Sequence, residues 1–112
     1  MVFMNTVAKI SKESQARREF YTLIEYLTLY VNLQEALIDK ITINIVDTEY
    51  VLINSNKREI ARISKEENNL LDVLVTLAPK QIEINKITEF EDKELLKLII
   101  AIFKERVELY MN

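Results

Sequence analysis

None of the 112 residues is glycine, and no other feature restricts this chain's fold so much. Glycine takes positive φ without steric cost and lets backbone approach a phosphate closely. Every tight turn must therefore be made by residues with side chains, asparagine first, because its short polar group tolerates left-handed angles. The same absence removes the phosphate-binding loop and the usual dinucleotide-binding turn. Histidine and cysteine are missing as well, and with them most zinc ligands and many nucleophiles and general bases. Only oxygen ligands are left for a metal, and no spaced aspartate series resembles a calcium loop. The sequence therefore offers no catalytic, cofactor-binding or metal-binding residue, and the balance is against an enzyme. Serine and lysine nucleophiles remain, but none sits in a recognisable setting.

A chain of this length suits a single domain over residues 1–112. Hydrophobic residues make up 49% and charged residues 29%, which is ordinary for a globular protein and argues against disorder. A net charge of −3 argues against nucleic acid as a partner, since backbone binding needs a clustered positive field. Without cysteine there is no disulfide framework, so the cytoplasm is the expected location. No apolar run approaches the ~18 residues of a membrane span. Met1-Val2-Phe3-Met4 is too short for a signal-peptide core, and Lys9 and Lys12 follow it instead of preceding it.

Hydrophobic periodicity predicts a long helix over Lys12 to Leu37 with two apolar stripes. Phe20, Leu23, Ile24, Leu27, Val31 and Ile38 form the first. Tyr26, Leu29, Tyr30, Leu33 and Leu37 form the second. One stripe is enough to dock a surface helix; two imply cover on both sides. After Asp39 the period becomes alternating: Ile41, Ile43 and Ile45 against Thr42 and Asn44, a half-buried strand. Asp47-Thr48-Glu49 reads as a tight connection and Tyr50 to Ile53 as the returning strand of a hairpin. Asn54-Ser55-Asn56 is the next turn, with asparagine taking the left-handed angles, and Ile60 to Ile63 a third, short strand. Ser64-Lys65-Glu66-Glu67 has the capping-box pattern, predicting a helix from Lys65 to Leu77 that Pro79 ends. Gln81 to Asn85 reads as a strand, Asp92 to Glu105 as a helix and Val107 to Tyr110 as a last strand. A strand, a crossover helix and a strand make a parallel βαβ unit. The expected fold is thus α/β of the mixed α+β kind. It is a mixed sheet of about four to five strands with an antiparallel hairpin and a C-terminal βαβ unit, and the long N-terminal helix packs on it.

Each candidate site has a plainer explanation beside it. The carboxylate pairs Glu66-Glu67 and Glu91-Asp92 could divide acid and base roles, but both fall where a helix begins, and negative charge there offsets the macrodipole. Lys9, Lys12, Arg17 and Arg18 could grip an acidic partner or a phosphate; interspersed Glu13 and Glu19 point to a solvated helix face. Tyr26 and Tyr30, one turn apart beside Leu29 and Leu33, suit either an interaction surface or core with hydroxyls at the rim. A further possibility is a ligand or substrate site built from carboxylates and lysines at the carboxyl ends of the parallel strands. Asn85, Lys86, Thr88 and Glu89 would lie there, where open parallel sheets place ligands.

Three stretches together carry a resemblance. The first is Arg18-Glu19-Phe20-Tyr21-Thr22-Leu23-Ile24-Glu25-Tyr26-Leu27 with Val31-Asn32-Leu33-Gln34-Glu35. The second is Ile38-Asp39-Lys40-Ile41 running into Tyr50-Val51-Leu52. The third joins Leu77-Ala78-Pro79-Lys80-Gln81-Ile82-Glu83-Ile84-Asn85 to Lys93-Glu94-Leu95-Leu96 and Phe103-Lys104-Glu105-Arg106-Val107-Glu108. In order and spacing they resemble the carboxy-terminal part of the sporulation proteins called the YtxC family, from endospore-forming bacteria. The likeness runs from Phe3 to Glu108 and rests mostly on apolar, fold-determining positions. The family's longer amino-terminal region and its cysteine-bearing tail have no counterpart here. The resemblance implies a cytoplasmic, sporulation-linked protein and supplies no catalytic residues. A domain cut from a longer protein would expose what its missing half covered, and the second helical stripe is where such a surface is expected. The leading expectation is a non-enzymatic domain that binds a protein partner, or a second copy of itself, through Tyr26, Leu29, Tyr30 and Leu33.

Overall fold

The computed structural model describes residues 13–112, with side chains from Arg18 onward. The elements run α1 (Glu13–Leu33), β1 (Lys40–Val46), β2 (Glu49–Asn54), β3 (Glu59–Ser64), α2 (Leu70–Leu77), β4 (Gln81–Ile84), α3 (Lys93–Phe103) and β5 (Val107–Leu109). Short 3-10 turns at Ile87–Glu89 and Lys104–Arg106 flank α3. The five strands form one mixed sheet in the order β3-β2-β1-β4-β5. β1 and β2 pair antiparallel, as do β2 and β3, whereas β1–β4 and β4–β5 are parallel. The mixed sheet, the hairpin and the C-terminal βαβ unit are those the sequence predicts.

One face of the sheet is dry. Ile41 and Ile43 stand beside Ile82 and Ile84 in the parallel register, and all four are fully buried. Leu70, Leu71 and Leu74 of α2 and Leu98, Ile99, Ile102 and Phe103 of α3 close over them in one core. The β3-to-β4 and β4-to-β5 crossovers advance in the same direction across the sheet. Right-handed connections then lay both helices on the same side, which leaves the opposite face without a covering helix among the described residues. The alternation of β1 and β4 fits this, since a parallel sheet covered on both faces would read as a continuous apolar run. On the open face Asn85 donates to Asn44 Oδ1 at 2.9 Å, Lys40 meets Glu83 at 3.3 Å, and Gln81 donates to Glu108 at 2.7 Å.

Of the positive-φ positions, Asp47 lies in a turn the sequence predicts, whereas most of the others fall on residues it does not mark as turns. Positive φ occurs at Asp47, Lys57, Asn68, Ala78, Lys86 and Lys104. In the β2–β3 turn it is Lys57, not an asparagine, that takes it. Asn54 instead accepts from the backbone N–H groups of Asn56 and Arg58 through Oδ1, both at 3.0 Å, which orients the loop without leaving extended geometry. The capping box is also a correction. Ser64 is the last residue of β3, paired with Glu49, and its hydroxyl accepts from Glu66 N–H at 3.2 Å to make a tight turn. The helix starts only at Leu70, so Glu66-Glu67 precedes it and does not open it. Pro79 does end α2: Ala78 before it is left-handed, and its N–H donates to Leu74 O at 2.8 Å. Asp92, by contrast, is a true cap of α3, accepting from Leu95 N–H at 3.0 Å.

The long first helix ends at Leu33, so Leu37 and Ile38 belong to the connection into β1. Its principal packing is on α3, with Val31 fully buried and Phe20, Ile24 and Leu27 against the core.

The two faces of β1 predict opposite responses to truncation. Ile43→Ala should destabilise the domain by about 2–5 kcal/mol, as buried isoleucines do. Thr42→Ala on the open face should change stability by less than about 0.5 kcal/mol. Urea denaturation of both variants checks the assignment.

Candidate functional site

Two surfaces stand apart from the core. The first is the outer stripe of α1. Its inner stripe is already engaged with the rest of the domain, yet Tyr26 is 64% exposed, Leu29 55%, and Leu33 78%. Tyr30 is also exposed, and its hydroxyl accepts from Gln34 Nε2 at 3.1 Å. Leu37 extends the apolar surface past the helix end, where its N–H donates to Leu77 O at 3.3 Å. The four residues singled out by their spacing therefore share one face of the helix, and all four are exposed. Of the basic cluster, Arg18 is exposed; Lys9, Lys12 and the side chain of Arg17 lie outside the described residues.

The second surface is a cleft of ≈ 600 Å³ at the carboxyl ends of β1 and β4, lined by Ile45, Val46, Asp47, Lys65, Lys86, Thr88, Glu89 and Glu91. Three residues of the Asn85–Glu89 segment, Lys86, Thr88 and Glu89, come together in it as the sequence suggests. Asn85 does not, because its side chain belongs to the open sheet face. The left-handed turn at Lys86, φ 51°, separates the two. Three further charged members complete the lining. Asp47 lies on the hairpin turn and Lys65 follows β3, and the sheet order sets these two, which the sequence does not single out for this site, beside the β4 loop. Glu91, read from the sequence only as charge at a helix start, lies two residues after Glu89 in that same loop. Lys65 and Glu91 meet at 3.4 Å, joining two walls of the cleft. Backbone bonds fix its frame: Lys65 N–H to Thr48 O at 2.9 Å, Ile87 N–H to Tyr110 O at 2.9 Å and Lys86 N–H to Asn112 O at 3.2 Å. Among the described residues, no group of three or more carboxylates is gathered to hold a metal ion. Nor is any helix among them long and apolar enough to cross a membrane.

The carboxylates near α3 act on a neighbour. Tyr50 is buried against Phe90, ring centroids 5.3 Å apart. Burial raises its phenol pKa, and the negative charges of Asp92 and Glu91 raise it further. Tyr110 is raised for a different reason, chiefly its hydrogen bond to Glu108. Compared with known proteins, the chain matches no family model, no curated protein and no solved structure.

The Tyr50 shift makes a stability prediction with a definite sign. The folded state holds this proton more tightly than the unfolded chain, whose tyrosines titrate near 10. The contribution is therefore fully present below about pH 10 and is lost as pH rises through the folded-state value. Thermal melts should show wild type losing stability above pH 10 more steeply than Tyr50→Phe, with a pH-independent difference between them at neutrality.

Proposed function

We propose that this chain is a protein-interaction domain that works through the outer face of α1 and carries out no chemistry of its own. The observation that carries the reading is the two-sided character of that helix. Phe20, Ile24, Leu27 and Val31 suffice to dock it, so Tyr26, Leu29, Tyr30 and Leu33 are not needed for docking and remain in contact with water. Fully covering a leucine is worth about 1.5–3 kcal/mol, and tyrosine is enriched among residues that dominate binding energy. A specific interface buries roughly 800 Å² per partner, about 20–30 residues a side. Four side chains can form the centre of such a contact but not its whole, so the partner must also reach flanking residues of α1 such as Thr22 and Glu25. The resemblance of the sequence to the YtxC family supplies a setting, the cytoplasm of an endospore-forming bacterium during sporulation.

The test is the paired substitution Tyr26→Arg with Leu33→Glu. Association, whether with a second copy or with another protein of sporulating cells, should be lost by light scattering and by pull-down. The melting temperature should hold within a few degrees, since both side chains are exposed. Global unfolding of the variant would show that the stripe is structural and would end the proposal.

A further inference from the structure

The cleft at the carboxyl ends of β1 and β4 gathers charges of both signs around one gap, and it stands independently of the α1 reading. Several opposite charges elsewhere meet: Lys40 with Glu83, Arg62 with Glu49 and Glu59, Lys80 with Asp39, Lys97 with Glu94. Within the cleft only Lys65 and Glu91 do so. Lys86, Asp47 and Glu89 line the same space, yet among the described residues their side chains take part in no ion pair or hydrogen bond. One cation and two anions are thus held around a common gap without closing it.

A ligand that complements this arrangement must bring both signs. A cation alone would leave Lys86 unmatched, and an anion alone would face Asp47 and Glu89. Thr88 adds a hydroxyl that can donate to a carboxylate or accept from an ammonium. Ile45 and Val46 add apolar lining for a short hydrocarbon group. The volume, ≈ 600 Å³, lies within the usual range for small-molecule sites, about 300–1,000 Å³. The backbone of the walls is held in place: Lys86 N–H donates to Asn112 O, Glu89 N–H donates to Lys86 O at 2.8 Å, and Asp47 sits in the two-residue turn between paired Val46 and Glu49. We infer that this cleft binds a small zwitterion, an α-amino acid with a short apolar side chain. Its ammonium lies toward Asp47 and Glu89 and its carboxylate toward Lys86 and Thr88. The cleft is open on one side and the groups are solvated, so the affinity belongs in the millimolar range.

The test is a titration of the isotope-labelled domain with L-valine, followed by amide chemical shifts. Isovalerate, which lacks the ammonium, and isobutylamine, which lacks the carboxylate, serve as the paired controls. Valine should shift the amides of Asp47, Lys86 and Thr88 saturably, and each control should bind at least about tenfold more weakly, the loss of one charge-assisted hydrogen bond. Lys86→Met and Asp47→Asn should each weaken valine by a similar factor. Methionine keeps the length of lysine without its charge, and asparagine tolerates the left-handed backbone of position 47, so an unchanged spectrum elsewhere reports an intact fold. Three results would overturn the inference: no saturable shift with valine, isobutylamine binding as tightly as valine, or valine binding that survives both substitutions.

Discussion

The parallel register that sets Ile41 beside Ile82 and Ile43 beside Ile84 is the contact on which the rest of the domain depends. All four side chains are fully buried, and burying each is worth about 1.5–3 kcal/mol, against a net stability of about 5–15 kcal/mol for a typical domain. A slip of one residue would turn Thr42 and Glu83 into the core and the isoleucines out to water. That penalty fixes which face of β1 and β4 meets the helices, and hence where α2 and α3 can lie. It also fixes the order of the sheet. β4 must dock against the free edge of β1, so the hairpin partner β2 keeps the other edge and β3 is pushed to the margin.

What could be read from the sequence follows from this division. Elements defined by periodicity were legible: the isoleucine alternation of β1, the strands on either side of α3, and the two stripes of α1. Elements defined by turns were less so. In a chain without glycine every left-handed position carries a side chain, and residue type then says little about where those positions fall. Lys57 and Lys86 have no local signature that separates them from the other lysines. The Ser64–Glu67 pattern misled for a related reason. Its hydroxyl-to-amide bond serves a tight turn as readily as a helix cap, and the pairing of Ser64 with Glu49 holds that residue in the sheet.

The two candidate surfaces differ in the same way. The outer stripe of α1 lies within one helix, so spacing alone could find it, and what the fold adds is that the inner stripe takes up the core. The cleft is assembled from three separated stretches: the end of β1 with its hairpin turn, the residue after β3, and the segment from β4 to α3. Sequence reasoning reached the β4 loop because carboxyl ends of parallel strands gather ligands. It could not reach Asp47 or Lys65, whose nearness depends on a strand order that propensity does not encode.

The open sheet face explains why these surfaces, and not the sheet itself, are the places to look for partners. Its polar side chains are matched to one another: Asn44 with Asn85, Thr42 and Lys40 with Glu83, Gln81 with Glu108, Arg62 with Glu49 and Glu59. A partner docking there would have to replace bonds already made, and hydrogen bonds exchanged in that manner return little net free energy. The α1 stripe offers the opposite case, apolar area whose removal from water is a gain without a bond to break. The cleft offers a third, charges of both signs that the fold brings close and leaves unmatched. The two surfaces proposed for recognition thus lie where folding leaves interactions unmade.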